Sequence, residues 1–368
     1  MEVYAIRTLR NQPLRLALTI GGVALCVVLM FFLLSVYKGV ADGSVEYIKQ
    51  NKTDLWVLQR NATNILRGSS ILSTFQGERI RQISGVKSVS PVLLLLSTIK
   101  KDDKVRTVFL TGFEPEEGIG GPPNLVAGHT VLRDDEIVLD KSFAAKFKFK
   151  VGDRVEIQNN SLKVVGISGG TNAFVIQYAF VTLRFAQRLI GFPGIVSCYL
   201  VKVKDRSTLA EIAEKIRKEL PEVEVYYHEI FLENNINEME SGFLPLLYTV
   251  AAIGAVVLTV ILSLLLSVNI LERRKDFAVL KTLGSPKGFL WRLIIDQALL
   301  ISFAASIVAL IVFFPLVYVI EKISPEVSTK SSVEQIIVVV IVAVVMSLIS
   351  SLISIQKLRH IYLLEAFK

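Results

Sequence analysis

Cysteine and histidine are scarce, with 2 and 3 in 368 residues. Cys26 lies inside a long apolar run and Cys198 far downstream in a region of mixed composition. Neither they nor His129, His228 and His360 fall into the ligand spacings of a metal site, so no metal is expected and the histidines read as surface residues. A phosphate-cradling G-x-x-x-x-G-K-[ST] run is also missing. The glycines of "EEGIGGPP" (residues 116–123) come with two prolines and no lysine, and "ISGGTN" (167–172) is too short, so both read as turns. With no cluster of nucleophile, base and acid either, the chain is expected to be no enzyme and to bind no cofactor itself.

Charge is the third absence, and it is local. Segments 16–37, 243–270, 293–320 and 336–355 are nearly uncharged and apolar in a chain that is 52% hydrophobic with mean hydropathy +0.53. A helix rises 1.5 Å per residue and a hydrocarbon core is about 30 Å thick, so about 20 residues span it. Residues 336–345 are only Ile, Val and Ala, which leaves no polar stripe for a soluble core helix. Four transmembrane helices follow. The first, with 22 apolar residues and no A-x-A-like site, reads as an uncleaved anchor, since a signal core holds only about 7 to 15. Cys26 inside it cannot pair with Cys198. Asp296 and Glu321 lie near helix ends, so no proton or ion relay through the bundle is expected.

Basic residues set the expected orientation. Arg7, Arg10 and Arg15 precede the first helix. Arg273, Arg274, Lys275, Lys281, Lys287 and Arg292 lie between the second and third, and Lys357, Arg359 and Lys368 follow the fourth, whereas residues 321–335 carry only Lys322 and Lys330. Both termini and the loop 271–292 are expected in the cytoplasm and residues 38–242 outside. The domains are then 1–37 (tail and first helix), 38–242 (extracytoplasmic) and 243–368 (three helices, the loop and a tail). The net charge of +8 collects beside membrane segments, where anionic headgroups account for it, and no nucleic acid is implied.

The outer region reads as α+β. After a helical continuation (39–51) come a strand (54–59), a helix (76–84, ending at Gly85) and a strand (86–99). The order returns as strand 199–204, helix 208–220 and strand 222–227, so the sheet is expected to assemble from both ends of the insertion. Residues 105–185 read as a nested β-rich subdomain. They hold a hairpin around Asn159, Asn160 and Ser161, a short helix (140–147) and a loop at 116–124.

Residues 271–296 read "LERRKDFAVLKTLGSPKGFLWRLIID". Phe277, Leu280, Leu283, Phe289 and Leu290 fall on one face, and Arg273, Arg274, Lys275 and Lys281 cover the other. On physics alone this is an interfacial amphipathic helix anchoring two membrane helices. The run of Glu272, Arg273, Arg274, Lys275, Asp276, Phe277, Ala278, Val279, Leu280, Lys281, Thr282, Leu283, Gly284 and Ser285 resembles the "ERR-x-E-I-A-V-L-R-A-L-G-A" signature of FtsX-like, MacB-type ABC transporter permeases. Asp276 replaces a Glu there and Lys281 an Arg. The amino-terminal "AIRTLRNQPLRLALTIGGVAL" and the blocks "IVLDKSFAAKFKFKVGDRVEI" and "LKVVGI" are similar to the same family. So is the final "KLRHIYLLEAFK", in which Tyr362 or Leu363 stands for a proline and Phe367 for a leucine. "DLWVLQRNATNILRGSS" resembles the DevC-like branch.

The resemblance implies a mechanotransmission permease in a bacterial cytoplasmic (inner) membrane. Two such chains, identical or paired with a relative, bind a dimer of separate ATPase subunits that hold the ATP and Mg. The segment 271–285 acts as the coupling helix. Phe277, Leu280 and Leu283 enter the ATPase groove, Arg273, Arg274 and Lys281 meet acidic groups or headgroups, and Gly284 ends the helix in a left-handed turn. Segments 16–37 and 243–270 become stalks that move the outer domains. A periplasmic membrane-fusion adaptor and an outer-membrane channel are further implied partners, alongside membrane lipids. Export of a lipid, glycolipid, lipoprotein or peptide is the expected function. The alternative is an FtsX-like signal transmitter acting on cell-wall hydrolases, disfavoured by the roughly 205-residue outer domain. A membrane-anchored enzyme comes third, for want of a catalytic cluster.

Overall fold

The computed structural model describes residues 13–65, 68, 70–101, 104–173, 176–272, 287–324 and 329–358. They form two compact units, one drawn from Met1–Lys38, Pro245–Ile320 and Thr329–Lys368, the other from Gly39–Leu244 with Glu321–Ser328.

The first unit is helical. Helices α1 (Pro13–Gln50), α6 (His228–Glu272), α7 (Lys287–Ile323) and α8 (Val333–Leu358) each hold one stretch long and apolar enough to cross a membrane, 4 among the described residues. This is the four-helix arrangement expected, with the α+β domain between the first two. The sequence reading opens the second apolar segment at 243, and Glu229, Glu233, Glu238 and Glu240 precede it. The helix starts at His228 nonetheless, and these acidic turns lie ahead of its apolar span.

Packing in this unit runs opposite to that of a soluble bundle. Large apolar side chains such as Leu25, Ile311, Ile341 and Leu352 are exposed, while alanines and serines share the interior with Phe31, Leu258, Leu262 and Phe313. Ala298, Ser302, Ala305 and Ala309 recur along α7, all fully buried, the spacing that lets helices approach closely when lipid supplies no hydrophobic drive. Buried serines add hydrogen bonds, among them Ser354 Oγ donating to the Ser263 carbonyl across α8 and α6 at 3.1 Å. Among the described residues no charged side chain of this unit is buried.

The second unit is built on one mixed sheet. Strands β1 (Leu55–Gln59), β3 (Val86–Lys101), β12 (Cys198–Val203) and β13 (Val223–Tyr227) lie in the order β13-β1-β12-β3, all antiparallel. Helix α2 (Thr74–Arg81) joins β1 to β3 by way of the short strand β2 (Leu72–Ser73), and α5 (Leu209–Glu219) joins β12 to β13. These are the two strand-helix-strand units expected at the ends of the insertion. Burial explains why β1 shows no alternation: Leu55 and Val57 enter the core on one face, Trp56 and Leu58 that on the other.

Strand β3 is 16 residues long and serves two subdomains. Its first half pairs with β12, and from Val92 onward it pairs with β4 (Lys104–Phe113). The chain continues through β5 (Leu125–Gly128), β6 (Glu136–Asp140), helix α3 (Lys141–Phe147), β7 (Arg154–Ile157), β8 (Asn160–Ser168), β9 (Asn172–Ala173) and β10 (Ile176–Thr182). Pairings β3-β4-β10-β6-β8-β7 close back on β3 through Lys100 and Glu156, which makes the nested β-rich part a small barrel. Helix α4 (Leu183–Ile190) and β11 (Ile195–Val196) lead back to β12. The β7–β8 hairpin turns at Gln158 and Asn159, with φ of 45° and 67°, one residue before the place read from sequence. Two successive positive φ values define the tight turn whose twist matches the strands. At Gly128, where φ is +75°, a Cβ would stand 2.0 Å from the Val165 carbonyl oxygen, so only glycine lets β5 cross β8.

Candidate functional site

The segment that the sequence singles out connects α6 to α7. Ile270 of α6, Leu293 and Ile294 of α7 and Ile355 of α8 form a separate buried cluster, with Trp291, Ile295 and Leu300 packed against it. Three helices therefore converge where the chain leaves and re-enters the bundle. Glu272, the last residue of α6, is exposed. Arg273, Arg274, Asp276, Phe277, Leu280, Lys281, Leu283, Gly284 and Ser285 lie outside the described residues.

Among the described residues no group of three or more His, Cys, Asp or Glu side chains is placed to hold a metal ion. His129 is exposed, its Nδ1 2.7 Å from the Thr130 carbonyl. Both cysteines are free and buried, and burial pushes the Cys198 thiol up to about 12, far from reactive.

His228 is the exception to the surface reading, and no sequence pattern marks it. It opens α6 directly after β13 and is half-buried. The Trp56 Nε1–H donates to its Nδ1 at 3.3 Å, while its backbone N–H donates to the Asp54 carbonyl at 3.2 Å. Trp56 also stacks on Phe231, one turn along α6, with centroids 4.7 Å apart. Asn235 finishes the attachment, its Oδ1 accepting from the Ile65 N–H at 3.1 Å. The first turns of α6 are thus fastened to β1 and to the loop after it, by contacts of high sequence separation that periodicity does not reveal.

Burial holds the His228 imidazole below its ordinary value, Arg206 adds to this, and Glu229 and Asp54 oppose it. A folded value below the unfolded one, near 6.5, leaves the contribution intact above about pH 6.5. It is lost as pH falls, because the unfolded chain takes the proton first and a proton on Nδ1 displaces the Trp56 donor. The urea midpoint of the chain in nanodiscs, followed by intrinsic fluorescence, is therefore expected to drop between pH 7.5 and pH 5.5. His228→Gln, which keeps an acceptor and does not titrate, should flatten that part of the profile; an unchanged slope would remove His228 as its cause.

With this geometry in place, comparison with known proteins is informative. Residues 16–219 match the family described as MacB-like periplasmic core domain, and residues 248–363 the family described as FtsX-like permease C-terminal. An uncharacterised ABC transporter permease of Mycobacterium tuberculosis is 24% identical over 314 residues, 84% of either chain. Another, from Methanocaldococcus jannaschii, is 23% identical over 356 residues, covering 87% of this chain and 84% of its own. Among solved structures, the periplasmic region of MacB from Actinobacillus actinomycetemcomitans aligns with a TM-score of 0.40 at 16% identity, covering 50% of this chain and 92% of that one.

Proposed function

Since the chain belongs to the FtsX/MacB family of ABC transporter permeases, a class that implies a separate ATPase partner, we propose that it carries the work of that ATPase across the membrane to its outer domain and so drives export. The observation that supports this most is the pairing of the two matches: a MacB-like core over 16–219 and an FtsX-like permease region over 248–363 together account for nearly the whole chain. Residues 271–285 are the coupling helix in this reading. Phe277, Leu280 and Leu283 enter an ATPase groove, Arg273, Arg274, Lys281, Glu272 and Asp276 make charged contacts around it, and Gly284 and Ser285 end it. The clamp of Ile270, Leu293, Ile294 and Ile355 transmits the displacement to α6, α7 and α8. ATP and Mg stay on the partner.

An apolar bundle interior, with no buried charge among its described residues, fits a machine that moves its outer domain rather than threading a polar substrate between its helices. The termini and 271–292 lie on the ATPase side, residues 38–242 face outside, and two permease copies act together. The cargo class is a lipid, glycolipid, lipoprotein or peptide taken up at the outer face.

Purification of the tagged chain from its own membranes tests this. A subunit with a G-x-x-x-x-G-K-[ST] loop is expected to be retained, and its ATP turnover to fall several-fold when the permease is removed. Recovery of the folded chain with no such subunit would sink the reading.

A further inference from the structure

The outer unit holds a recess of about 550 Å³ whose walls include Ile71, Leu94, Leu96, Phe109, Ile190 and Phe192. That size suits a bound ligand, and the lining is the apolar kind such sites have. Ile71, Leu96 and Phe192 are 59%, 61% and 62% exposed, so three large apolar side chains stand in solvent around one opening. Isolated exposed leucines are ordinary, but a group of them around a recess is not.

The floor of the recess is an interrupted strand edge. In an antiparallel ladder successive residues point their N–H and C=O to opposite sides. Along β3 the edge turned away from β4 is that of Val92, Leu94, Leu96, Thr98 and Lys100. At Val92 the carbonyl accepts from Ser197 N–H at 2.7 Å, and at Leu94 the N–H donates to Ser197 Oγ at 3.0 Å. Lys100 pairs with Glu156 of β7. Between these two neighbours Leu96 and Thr98 have no partner strand among the described residues. The edge is satisfied on either side by another stretch of chain and left open for two residues, with the Leu96 side of that gap facing the recess.

The polar atoms nearby do not favour a lipid headgroup. Ser70 Oγ donates to the Ser197 carbonyl and accepts from Gln59 N–H, and Asn64 Oδ1 accepts from Gly68 N–H. No described lining residue carries a charge. What stays open is main chain beside apolar walls, and its complement is another extended main chain with apolar side chains at every second position.

We propose that the outer unit binds an extended peptide segment of a partner protein by strand addition at Leu96 and Thr98, with its alternate apolar side chains seated in the recess. This goes beyond the permease reading and does not rest on it, since every residue involved lies within Gly39–Leu244 and the test is binding alone.

The full chain in nanodiscs is panned with a phage-displayed library of random linear peptides. The enriched sequence is synthesised with a fluorescent label and titrated by anisotropy against the wild type, Leu96→Lys and Phe192→Glu. Both side chains are exposed, so these variants keep the fold, which circular dichroism verifies. Apolar residues are expected at alternate positions, with affinity about tenfold or more lower in each variant, as loss of one seated apolar side chain implies. Methylating the peptide amides one at a time should abolish binding at every second amide only. The proposal is overturned if no peptide is enriched, if both variants bind it like the wild type, or if methylation shows no alternation. It is equally overturned if only cis-parinaric acid binds and loses affinity in both variants, which makes the recess an acyl-chain site. Crosslinking of a Leu96→Cys chain to a second copy would instead mark a self-contact.

Discussion

A chain carrying Leu283→Asp is expected to leave detergent extracts without its ATPase and to lose stimulation of ATP turnover by at least tenfold. Phe277, Leu280 and Leu283 recur at intervals of three, the spacing that brings apolar side chains to one side of a helix. Removing a leucine from an apolar groove forfeits about 1.5–3 kcal/mol, and placing a carboxylate there without a partner adds a further penalty of about 2 kcal/mol or more. Together these exceed the 1.4 kcal/mol that corresponds to a tenfold change in affinity. Leu283→Met, similar in volume and apolar, should retain most of the ATPase, and Lys281→Ala, which removes a charge at the rim without entering the groove, should cost less than threefold. Retention of the ATPase by Leu283→Asp at the wild-type level would remove Leu283 from the contact and leave only an interfacial anchor.

What sequence reveals here follows the range of the interaction. The membrane helices are legible because the bilayer demands about 20 apolar residues in a row, a condition each segment meets by itself. The two strand-helix-strand units are legible for the same reason, although the first helix ends at Arg81, ahead of the Gly85 turn with its φ of +100° that the sequence marks as its stop, while the periodicity of 208–220 announces the second. Closure of the barrel is not, because it depends on Lys100 meeting Glu156, two polar residues far apart in sequence with no pattern to link them. Helix α4 escaped notice because Leu183–Ile190 is short and follows directly on a strand, and its Thr182 N-cap is visible only once the strand is known to end there. The recess is invisible too: Leu94 and Leu96 sit inside a run of four leucines that reads simply as a buried strand, and only the start of β12 at Cys198, opposite Val92, leaves that edge exposed.

Trp56→Ala should be the most damaging single change in the unit Gly39–Leu244. Its side chain is fully buried in β1, between Leu200 on β12 and Tyr226 on β13. It stacks on Phe231 of α6 and donates to His228 at the start of the same helix. Truncation leaves a cavity the size of an indole where the sheet meets α6 through aromatic packing, with Tyr226 of β13 the other ring against Phe231, and such truncations cost about 3–5 kcal/mol. Amide hydrogen exchange of the chain in nanodiscs should then accelerate about a hundredfold or more in β1, β13 and the first turns of α6, since every 1.4 kcal/mol is tenfold. The membrane spans of α7 and α8 should be unaffected. Trp56→Phe restores the stacked ring but not the indole donor and should recover most of the protection, leaving the His228 hydrogen bond as the smaller remainder, about 1 kcal/mol. Acceleration confined to β1, with α6 unchanged, would mean that the helix holds to the sheet through Asn235 and Ile65 instead, and that the aromatic stack is not what fastens it.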